Sequence, residues 1–346
     1  MTSRSHSRRR LAVIPTALAL AAVGLGAGAA TATTEPPADS APAATVAAST
    51  DASDDSAAPA EVDRTDWPDT ITLAAVPSEE STSLEASYAN IITVLEEDLE
   101  VDIEFFQATD YAGVIESMIA GDIELAQFGP FSYVIAVANG AEIAPIGALV
   151  EEAGAEPGYQ SFGIALADND EINSIEDFAG RNICFVDPGS TSGFLYPSAG
   201  LIDAGIDPEA DVTPVFAGGH DASVISVANG DCDAGFAFDS MVETQLVESG
   251  DIEAGEIKVV WESEVIAGSP LAMNTTLPES LQDEISRIIL EEVNIDRLVE
   301  RGVCTDVETC DLTDEDAYAY VAIDDAFYDG VRAVCESTQA EACGAA

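Results

Sequence analysis

The sequence predicts an α/β protein in which two lobes each contain a mostly parallel sheet. Short apolar runs rich in β-forming residues alternate with segments whose apolar residues recur at helical spacing. The alternation restarts after Phe162, which indicates a second lobe. The length of 346 residues is also enough for about two domains at roughly 150 residues each. Strands that alternate with helices form parallel sheets with helices on both faces.

The first lobe begins with a short apolar strand that Pro77 ends, followed by a segment with apolar residues at helical spacing. The same strand–helix unit then recurs along the chain. The predicted strands are 71–76, 101–106 and 123–128, and the predicted helices are 84–99, 111–120 and 130–139.

The second lobe repeats this unit. Its predicted strands are 164–166, 182–186, 212–216 and 234–238, and its predicted helices are 175–178, 193–204 and 222–229. A strand at 257–261, an acidic helix at 278–292 and the segment 314–334 bring the chain back over the first lobe. We therefore assign residues 66–161 and 268–346 to lobe 1 and residues 162–267 to lobe 2. The hinge crossovers are expected near 159–163 and 262–268.

The N-terminal region has the pattern of an export signal. A basic stretch at 3–10 precedes an apolar stretch at 11–30 and small residues suited to cleavage, so we expect a signal peptide over 1–32. Its arginines fit the general secretory and the twin-arginine routes about equally. No cysteine near the cleavage site could accept a lipid anchor. The protein is therefore expected to be exported, to a periplasm or to the cell surface and medium.

Residues 33–65 consist mainly of Ala, Pro, Ser, Thr and acidic residues. Such a composition buries too little apolar surface to offset chain entropy, and it predicts a disordered acidic linker.

The charge balance excludes several classes of function. Asp and Glu total 65 against 11 Lys and Arg, a formal net charge of −54. A surface of this kind repels phosphate backbones and anionic membranes, so binding of nucleic acid or lipid through a basic patch is excluded. The acidic residues themselves are typical of a solvated surface.

Six cysteines follow the leader, an even number in a chain expected to be exported, and this favours disulfides. We expect Cys184 to pair with Cys232. The other four pair among themselves in one of three ways, and they are Cys304, Cys310, Cys335 and Cys343. A zinc site is disfavoured because His220 is the only histidine after the leader, and we expect no metal or cofactor.

The sharpest local signal is Ser190-Thr191-Ser192, which lies between a predicted strand and a predicted helix. A helix N-terminus has unpaired N–H groups and a partial positive charge, so hydroxyls there could hold an oxyanion without Lys or Arg. A serine in this place could equally be a helix N-cap. The local sequence leaves both possibilities open.

Three other strand ends carry polar residues. The turn at 128–133 includes Ser132 and Tyr133, His220 opens another helix, and Asp239 follows the strand 234–238. Each could contact a ligand, and each could instead cap or brace its own helix.

Five runs occur in one order and at a spacing that resembles the phosphate/phosphite/phosphonate-binding proteins of ABC transporters. They are 109–112, 128–133, 187–195, 219–223 and 262–270. The resemblance spans about Ile71 to Leu290. It implies a two-lobed periplasmic-binding-protein fold of type II-like form, whose two mostly parallel sheets are joined by two hinge crossovers. Such lobes close over an oxyanion and present it to a membrane permease.

The resemblance also implies ligand contacts. Ser190, Thr191 and Ser192 match the oxyanion-binding turn of the family, and His220 matches its histidine. The candidate ligand-binding residues also include Tyr111, Tyr159, Ser132, Tyr133, Asp239 and Ser269. Ser269 stands where several members of the family have an acidic residue, and this departure favours a small anion over an aminoalkylphosphonate.

The expected function is thus capture of phosphite, a phosphonate or phosphate by a monomer that delivers it to an ABC permease. A ligand sensor for a membrane receptor is an alternative. A hydrolase using Ser192, His220 and either Asp221 or Asp239 is disfavoured because the chain lacks a G-x-S-x-G elbow. A metal-dependent phosphatase would need clustered ligands at strand ends, whereas the acidic residues are dispersed.

Overall fold

The computed structural model describes residues 62–79, 84–313 and 317–343, in which strands and helices alternate along most of the chain. The strands are β1 Thr70–Ala75, β2 Asp102–Phe106, β3 Leu125–Gln127, β4 Ile143–Val150, β5 Gly158–Tyr159, β6 Ser161–Leu166, β7 Asn182–Phe185, β8 Thr213–Phe216, β9 Ala234–Phe238, β10 Ile257–Glu262, β11 Ile266–Ala267, β12 Pro270–Asn274 and β13 Ala319–Ala322. The helices are α1 Leu84–Ser87, α2 Ala89–Leu99, α3 Tyr111–Ala120, α4 Pro130–Ala138, α5 Tyr196–Asp203, α6 His220–Asn229, α7 Leu246–Ser249, α8 Glu279–Arg287, α9 Ile295–Arg301 and α10 Asp329–Thr338. A π-helical turn, Thr191–Leu195, leads directly into α5.

The first sheet has six strands in the order β13-β4-β12-β3-β1-β2. Strand β1 pairs in parallel with β2 and β3, whereas β12 lies antiparallel between β3 and β4, and β13 is antiparallel to β4. The sheet is therefore mixed, and the prediction of a mostly parallel sheet is wrong in this respect. The helix-linked strands β1 to β4 do run in one direction. Strand β12 comes from the part of the chain after the second sheet, so local alternation could not place it there.

The second sheet has five strands in the order β10-β6-β9-β7-β8. Strands β8, β7 and β9 are parallel, while β6 is antiparallel to both β9 and β10. This sheet is mixed for the same reason, because the strands at the lobe's entry and exit are not linked by helical crossovers. The predicted two-lobed α/β class is confirmed.

The two chain segments that join the sheets run side by side. Strand β5 pairs antiparallel with β11, with Tyr159 opposite Ile266. Their approach depends on Gly158, because a Cβ there would lie 2.8 Å from Cγ1 of Val265. The lobe boundaries given above stay a prediction.

Sequence patterns missed five strands and misplaced some helix starts. Strands β4, β5, β11, β12 and β13 were not predicted, and the predicted helix over 84–99 is interrupted at Tyr88. The helix predicted from 193 begins with the π turn at Thr191, and the one predicted from 222 begins at His220. Pro145 and Gly147 obscure the strand pattern of β4.

Apolar residues pack on both faces of each sheet. Ile71 and Leu73 of β1 face one cluster of the first lobe, and Ala74 faces the other, as the alternation of a strand requires. In the second lobe one cluster includes Ile164 and the other includes Phe236.

All six cysteines form disulfides. The predicted pair Cys184–Cys232 is confirmed, and it joins β7 to the segment between α6 and β9. The C-terminal four form Cys304–Cys310 and Cys335–Cys343, one of the three open possibilities.

The predicted signal peptide and most of the predicted linker lie outside the described residues. The last linker residues are described, and Arg64 donates to the carbonyl oxygen of Leu99 at 3.0 Å and to the Glu100 carboxylate at 2.9 Å. These contacts precede the predicted boundary at residue 66. Of the helices in the described residues, none combines the length and apolar character that crossing a membrane requires. The described residues also contain no group of His, Cys, Asp and Glu side chains able to hold a metal ion.

Candidate functional site

The turn after β7 makes Ser190 an N-cap whose hydroxyl has a second neighbour. The backbone N–H of Gly193 donates to Ser190 Oγ at 3.1 Å, which is the capping bond. The same Oγ lies 3.3 Å from Nε2 of His220. Ser190 is therefore the N-cap of its helix, and the capping bond also holds its hydroxyl against the histidine. The interpretation as a cap and the interpretation as a ligand-binding turn are thus compatible.

The hydrogen bonds of His220 define its tautomer. The side chain is buried at the start of α6, and desolvation lowers its pKa to about 3, so the imidazole is neutral at physiological pH. The backbone N–H of Phe238 donates to Nδ1 at 3.2 Å. A neutral imidazole has one donor and one acceptor, and the network thus assigns the proton to Nε2.

Hydrogen-bond counting then orients the Ser190 hydroxyl. Its oxygen accepts from the Gly193 N–H and from Nε2–H of His220, which uses both of its lone pairs. The hydroxyl proton is left to donate to a third group. Since Ser190 lines a cavity, an acceptor placed there would receive that proton.

The cavity lies among the loops at the carboxyl ends of strands from both sheets. The first sheet and the crossover contribute Val76, Ser78, Tyr111, Gly129, Tyr159 and Ser269, and the second sheet contributes Ser190, Thr191, Ser192, His220 and Phe238. The structure thus brings together seven of the ten candidate ligand residues.

No fixed positive charge reaches this cavity from the described residues. Their basic side chains are directed to carboxylates or carbonyl oxygens elsewhere, and they are Arg64, Arg181, Lys258, Arg287, Arg297, Arg301 and Arg332. An anion in the cavity would be held by neutral donors and helix dipoles, as the sequence suggested.

Helix N-termini from both lobes approach one another here. The backbone N–H of Phe131 in α4 donates to Thr191 Oγ1 at 2.8 Å. The backbone N–H of His220 in α6 donates to the carbonyl oxygen of Ser78 at 2.7 Å. The first bond joins α4 of the first lobe to the turn before α5 of the second lobe. The second bond joins α6 of the second lobe to the loop after β1 of the first lobe.

Asp239 lies beside this cavity. It lines an adjacent one together with Tyr159 and Ser269, which line both. Its carboxylate accepts from the backbone N–H of Gln160 at 2.9 Å and of Ser240 at 3.1 Å, and burial raises its pKa. The bond from Gln160 to Asp239 therefore holds the backbone of the first crossover in place.

Ser132 and Tyr133 are not among the described residues that line either cavity, and their part in ligand binding stays a prediction. Ser132 Oγ donates to the carbonyl oxygen of Gly129 at 2.9 Å. The Tyr133 hydroxyl donates to Asp325 at 2.8 Å, and burial raises the pKa of that phenol. Tyr133 thus faces the C-terminal segment, whose position local sequence could not show.

Sequence reasoning missed Ser78 and the backbone of Gly129. Ser78 is buried in the loop after β1, and Gly129 precedes α4. The signal that could have found Ser78 is its place at the carboxyl end of a parallel strand, where ligands of α/β sheets bind.

The hydrolase considered from the sequence is not supported by this geometry. Ser190, and not Ser192, lies against His220. Nδ1 of His220 accepts a backbone N–H, so it cannot donate to a carboxylate as the histidine of a catalytic triad does.

Comparison with known proteins identifies the family. Residues 73–297 match the model of the periplasmic substrate-binding proteins of phosphonate ABC transporters. The chain is 50% identical over 284 residues to the phosphate-import protein PhnD of Mycolicibacterium smegmatis, covering 80% of this chain and 88% of that protein.

Two further proteins are similar. The phosphonates-binding periplasmic protein of Escherichia coli is 30% identical over 216 residues, which cover 61% of this chain and 62% of that protein. The structure of PhnD1 from Prochlorococcus marinus in complex with methylphosphonate matches the fold with a TM-score of 0.67 at 18% identity, covering 78% of this chain and 98% of that one.

Proposed function

This chain belongs to the periplasmic substrate-binding proteins of phosphonate ABC transporters, and on that basis we propose that it captures a small phosphorus oxyanion for import. Phosphate is the first candidate, with phosphite and methylphosphonate next. The observation that supports this most directly is the cluster of Ser190, Thr191, Ser192 and His220 around one cavity that no basic side chain of the described residues enters.

Neutral donors suit an oxyanion in this cavity. The hydrogen-bond network leaves the Ser190 hydroxyl proton to donate, because Nε2–H of His220 and the N–H of Gly193 occupy the lone pairs of that oxygen. Donors fixed before binding need no reorganisation, and hydrogen bonds to a charged acceptor are stronger than those between neutral groups. Full neutralisation by a lysine or arginine is therefore not required for tight binding.

The surroundings of Asp239 favour a small ligand without an ammonium group. Both oxygens of Asp239 already accept backbone N–H groups, and Ser269 offers no second carboxylate. The name of the mycobacterial relative, a phosphate-import protein, agrees with this preference.

Binding is coupled to closure of the two lobes. A ligand that contacts both Tyr111 from the first lobe and His220 from the second gains its full set of bonds only when the lobes are together, so it selects the closed state. The closed monomer then docks on an ABC permease. Export through a signal peptide, by the general or the twin-arginine route, places it on the required side of the membrane.

The test is titration calorimetry of the chain with phosphate, phosphite, methylphosphonate and 2-aminoethylphosphonate in a buffer free of phosphate. We expect one-to-one binding, tightest for phosphate. Ser190→Ala should weaken it about tenfold or more because a hydrogen bond to a charged ligand is lost. Ser132→Ala is the matched control, a buried serine directed to Gly129, and it should bind as wild type does. Absence of binding by the wild type to all four anions would contradict the proposal.

A further inference from the structure

The hydroxyl of Thr191 joins the two lobes. Thr191 begins the π turn of the second lobe, and Phe131 belongs to α4 in the first lobe. The backbone N–H of Phe131 donates to Oγ1 of Thr191 at 2.8 Å. The neighbouring Ser190 instead accepts from Gly193 within its own turn. The two adjacent hydroxyls therefore stabilise helices of different lobes.

Helix α4 has no side-chain cap from its own N-cap residue. That residue is Gly129, and Pro130 follows it without a backbone N–H. Phe131 therefore carries the first N–H of the helix, which is one of the donors that have no intrahelical acceptor. Thr191 supplies the acceptor from the opposite lobe, in the role that an N-cap side chain usually has.

The contact between Thr191 and α4 is close and excludes water. Thr191 is 2% exposed and Phe131 is 0% exposed. A Cβ at Gly129 would lie 3.2 Å from Oγ1 of Thr191, so the glycine lets the hydroxyl approach the start of the helix. A buried N–H without an acceptor costs free energy because its contact with water has been lost. The closed arrangement of the lobes therefore depends on the Thr191 oxygen.

A second bond crosses between the lobes in the opposite direction. His220 is the first residue of α6 in the second lobe, and its backbone N–H donates to the carbonyl oxygen of Ser78 in the first lobe at 2.7 Å. Each lobe thus supplies one helix N–H and one acceptor. Thr191, His220 and Ser78 all line the same cavity. Separation of the lobes would break both bonds together.

We propose that Thr191 is the latch of the closed state, a residue whose hydroxyl accepts the first N–H of α4 across the cleft and holds the lobes together around the anion site. A hydroxyl has one proton to donate and two lone pairs, so Thr191 can accept from Phe131 and still donate to an anion in the cavity. Hydrogen bonds in a chain polarise one another, and a hydroxyl that donates to an anion is a stronger acceptor. Ligand binding therefore strengthens the latch. For its ligand the proposal rests on the proposed function, whereas the bond between the lobes needs no ligand.

Amide hydrogen exchange of Phe131 and His220 measures the latch in the absence of ligand. The experiment compares wild type, Thr191→Val, Thr191→Ser and Asn294→Ala by NMR in a buffer free of phosphate. Thr191→Val replaces the hydroxyl by a methyl group, so both amides should exchange about tenfold or more faster than in wild type. Thr191→Ser keeps the acceptor oxygen and should exchange more slowly than Thr191→Val.

The amide of His220 separates a latch from a local helix cap. It is bonded to Ser78 and not to Thr191, so Thr191→Val accelerates its exchange only by opening the lobes. Acceleration at both amides would support the latch. Acceleration confined to Phe131, or unchanged exchange at both, would overturn it. If Thr191→Val does not fold, Thr191→Ala removes the same oxygen and is judged by the same outcomes.

Asn294→Ala is the matched control because it removes a helix cap within one lobe. The Asn294 side chain accepts from the backbone N–H of Arg297 at 3.0 Å, at the start of α9. Its loss should lower the melting temperature while both amides exchange as in wild type. An equal acceleration of both amides in Asn294→Ala would attribute the effect to general destabilisation and overturn the proposal.

Titration with phosphate tests the coupling of the latch to the ligand. Thr191→Val should bind phosphate about tenfold or more weakly, and phosphate should slow exchange of both amides in wild type. A wild-type affinity in Thr191→Val would overturn this coupling. A wild type that binds no phosphate would contradict the proposed ligand, and the exchange rates of the ligand-free proteins would still decide whether Thr191 is a latch.

Discussion

Nε2 of His220 lies 3.3 Å from Oγ of Ser190, in a pair whose members come from two different strand–helix turns of the second lobe. The backbone N–H of Phe238 donates to Nδ1, so the imidazole presents its Nε2 proton to the serine. The Ser190 hydroxyl and the His220 imidazole are thus both oriented by hydrogen bonds from backbone N–H groups.

The donor function of His220 is separable from its structural one. His220→Asn removes Nε2–H but retains an amide oxygen that can accept from Phe238, whereas His220→Ala removes both. We expect phosphate affinity to fall about tenfold or more in both variants. Only His220→Ala should also lose about 1–3 kcal/mol of unfolding free energy, from an unsatisfied buried N–H. Calorimetry and urea unfolding measure the two effects, and equal stability losses would refute the separation.

The burial of His220 also makes stability depend on pH with a defined sign. Its pKa is lowered from 6.5 to about 3 in the folded state, so as pH falls below 6.5 the unfolded chain binds a proton that the folded chain does not. The histidine therefore lowers the unfolding free energy progressively between about pH 6.5 and 3.

Urea unfolding of wild type and His220→Asn at pH 7.5, 5.5 and 4.5 tests this dependence. The variant should gain stability relative to wild type as pH falls, because it lacks the titrating group. Carboxyl groups with raised pKa, such as Asp187 and Asp239, are present in both proteins and cancel in the difference. Parallel pH profiles would show that His220 is charged when folded.

Gly193 is required by packing and not by backbone conformation. A Cβ there would lie 2.3 Å from Cγ2 of Val186 and 2.8 Å from Oγ of Ser190. Gly193→Ala should destabilise the protein by about 1–3 kcal/mol and weaken phosphate binding, because the Ser190 cap must move. Gly330→Ala in α10 is the control, since no atom lies within 4 Å of its added Cβ, and it should be neutral or stabilise by about 0.5–1 kcal/mol. Thermal unfolding that ranks the two alike would contradict this reading.

The disulfides should differ in their contribution to stability. Cys184 and Cys232 are separated by 48 positions, whereas Cys304 and Cys310 are separated by 6. A longer closed loop restricts the unfolded chain more, by about 2 kcal/mol between these two lengths. Replacing the first pair by alanine should therefore lower the urea midpoint more than replacing the second. The reverse order would indicate that native packing, and not chain entropy, determines the effect.

Local sequence was sufficient wherever a structure is built from neighbours in the chain. The segments 187–195 and 219–223 each form the predicted turn from a strand into a helix. A polar residue after an apolar strand favours the start of a helix because it can cap the first backbone N–H groups. The pair Cys184–Cys232 was also found, since both cysteines lie within one predicted lobe.

The failures have a common physical origin in contacts between distant parts of the chain. Strand β12 lies antiparallel between β3 and β4, so the sheet that was predicted to be mostly parallel is mixed. The Tyr133 hydroxyl donates to Asp325, 192 positions away, a partner that local sequence could not indicate.

By itself, the sequence determined the α/β class, the acidic composition, and a strand-to-helix turn that carries three hydroxyl groups. Periodicity and capping act over a few residues, and composition acts over the whole chain, so neither needs three-dimensional contacts. Only the tertiary structure decided which nitrogen of His220 carries the proton and which hydroxyl lies against that nitrogen. Those depend on hydrogen bonds between residues far apart in the chain, whose directions are fixed only when both sheets have packed.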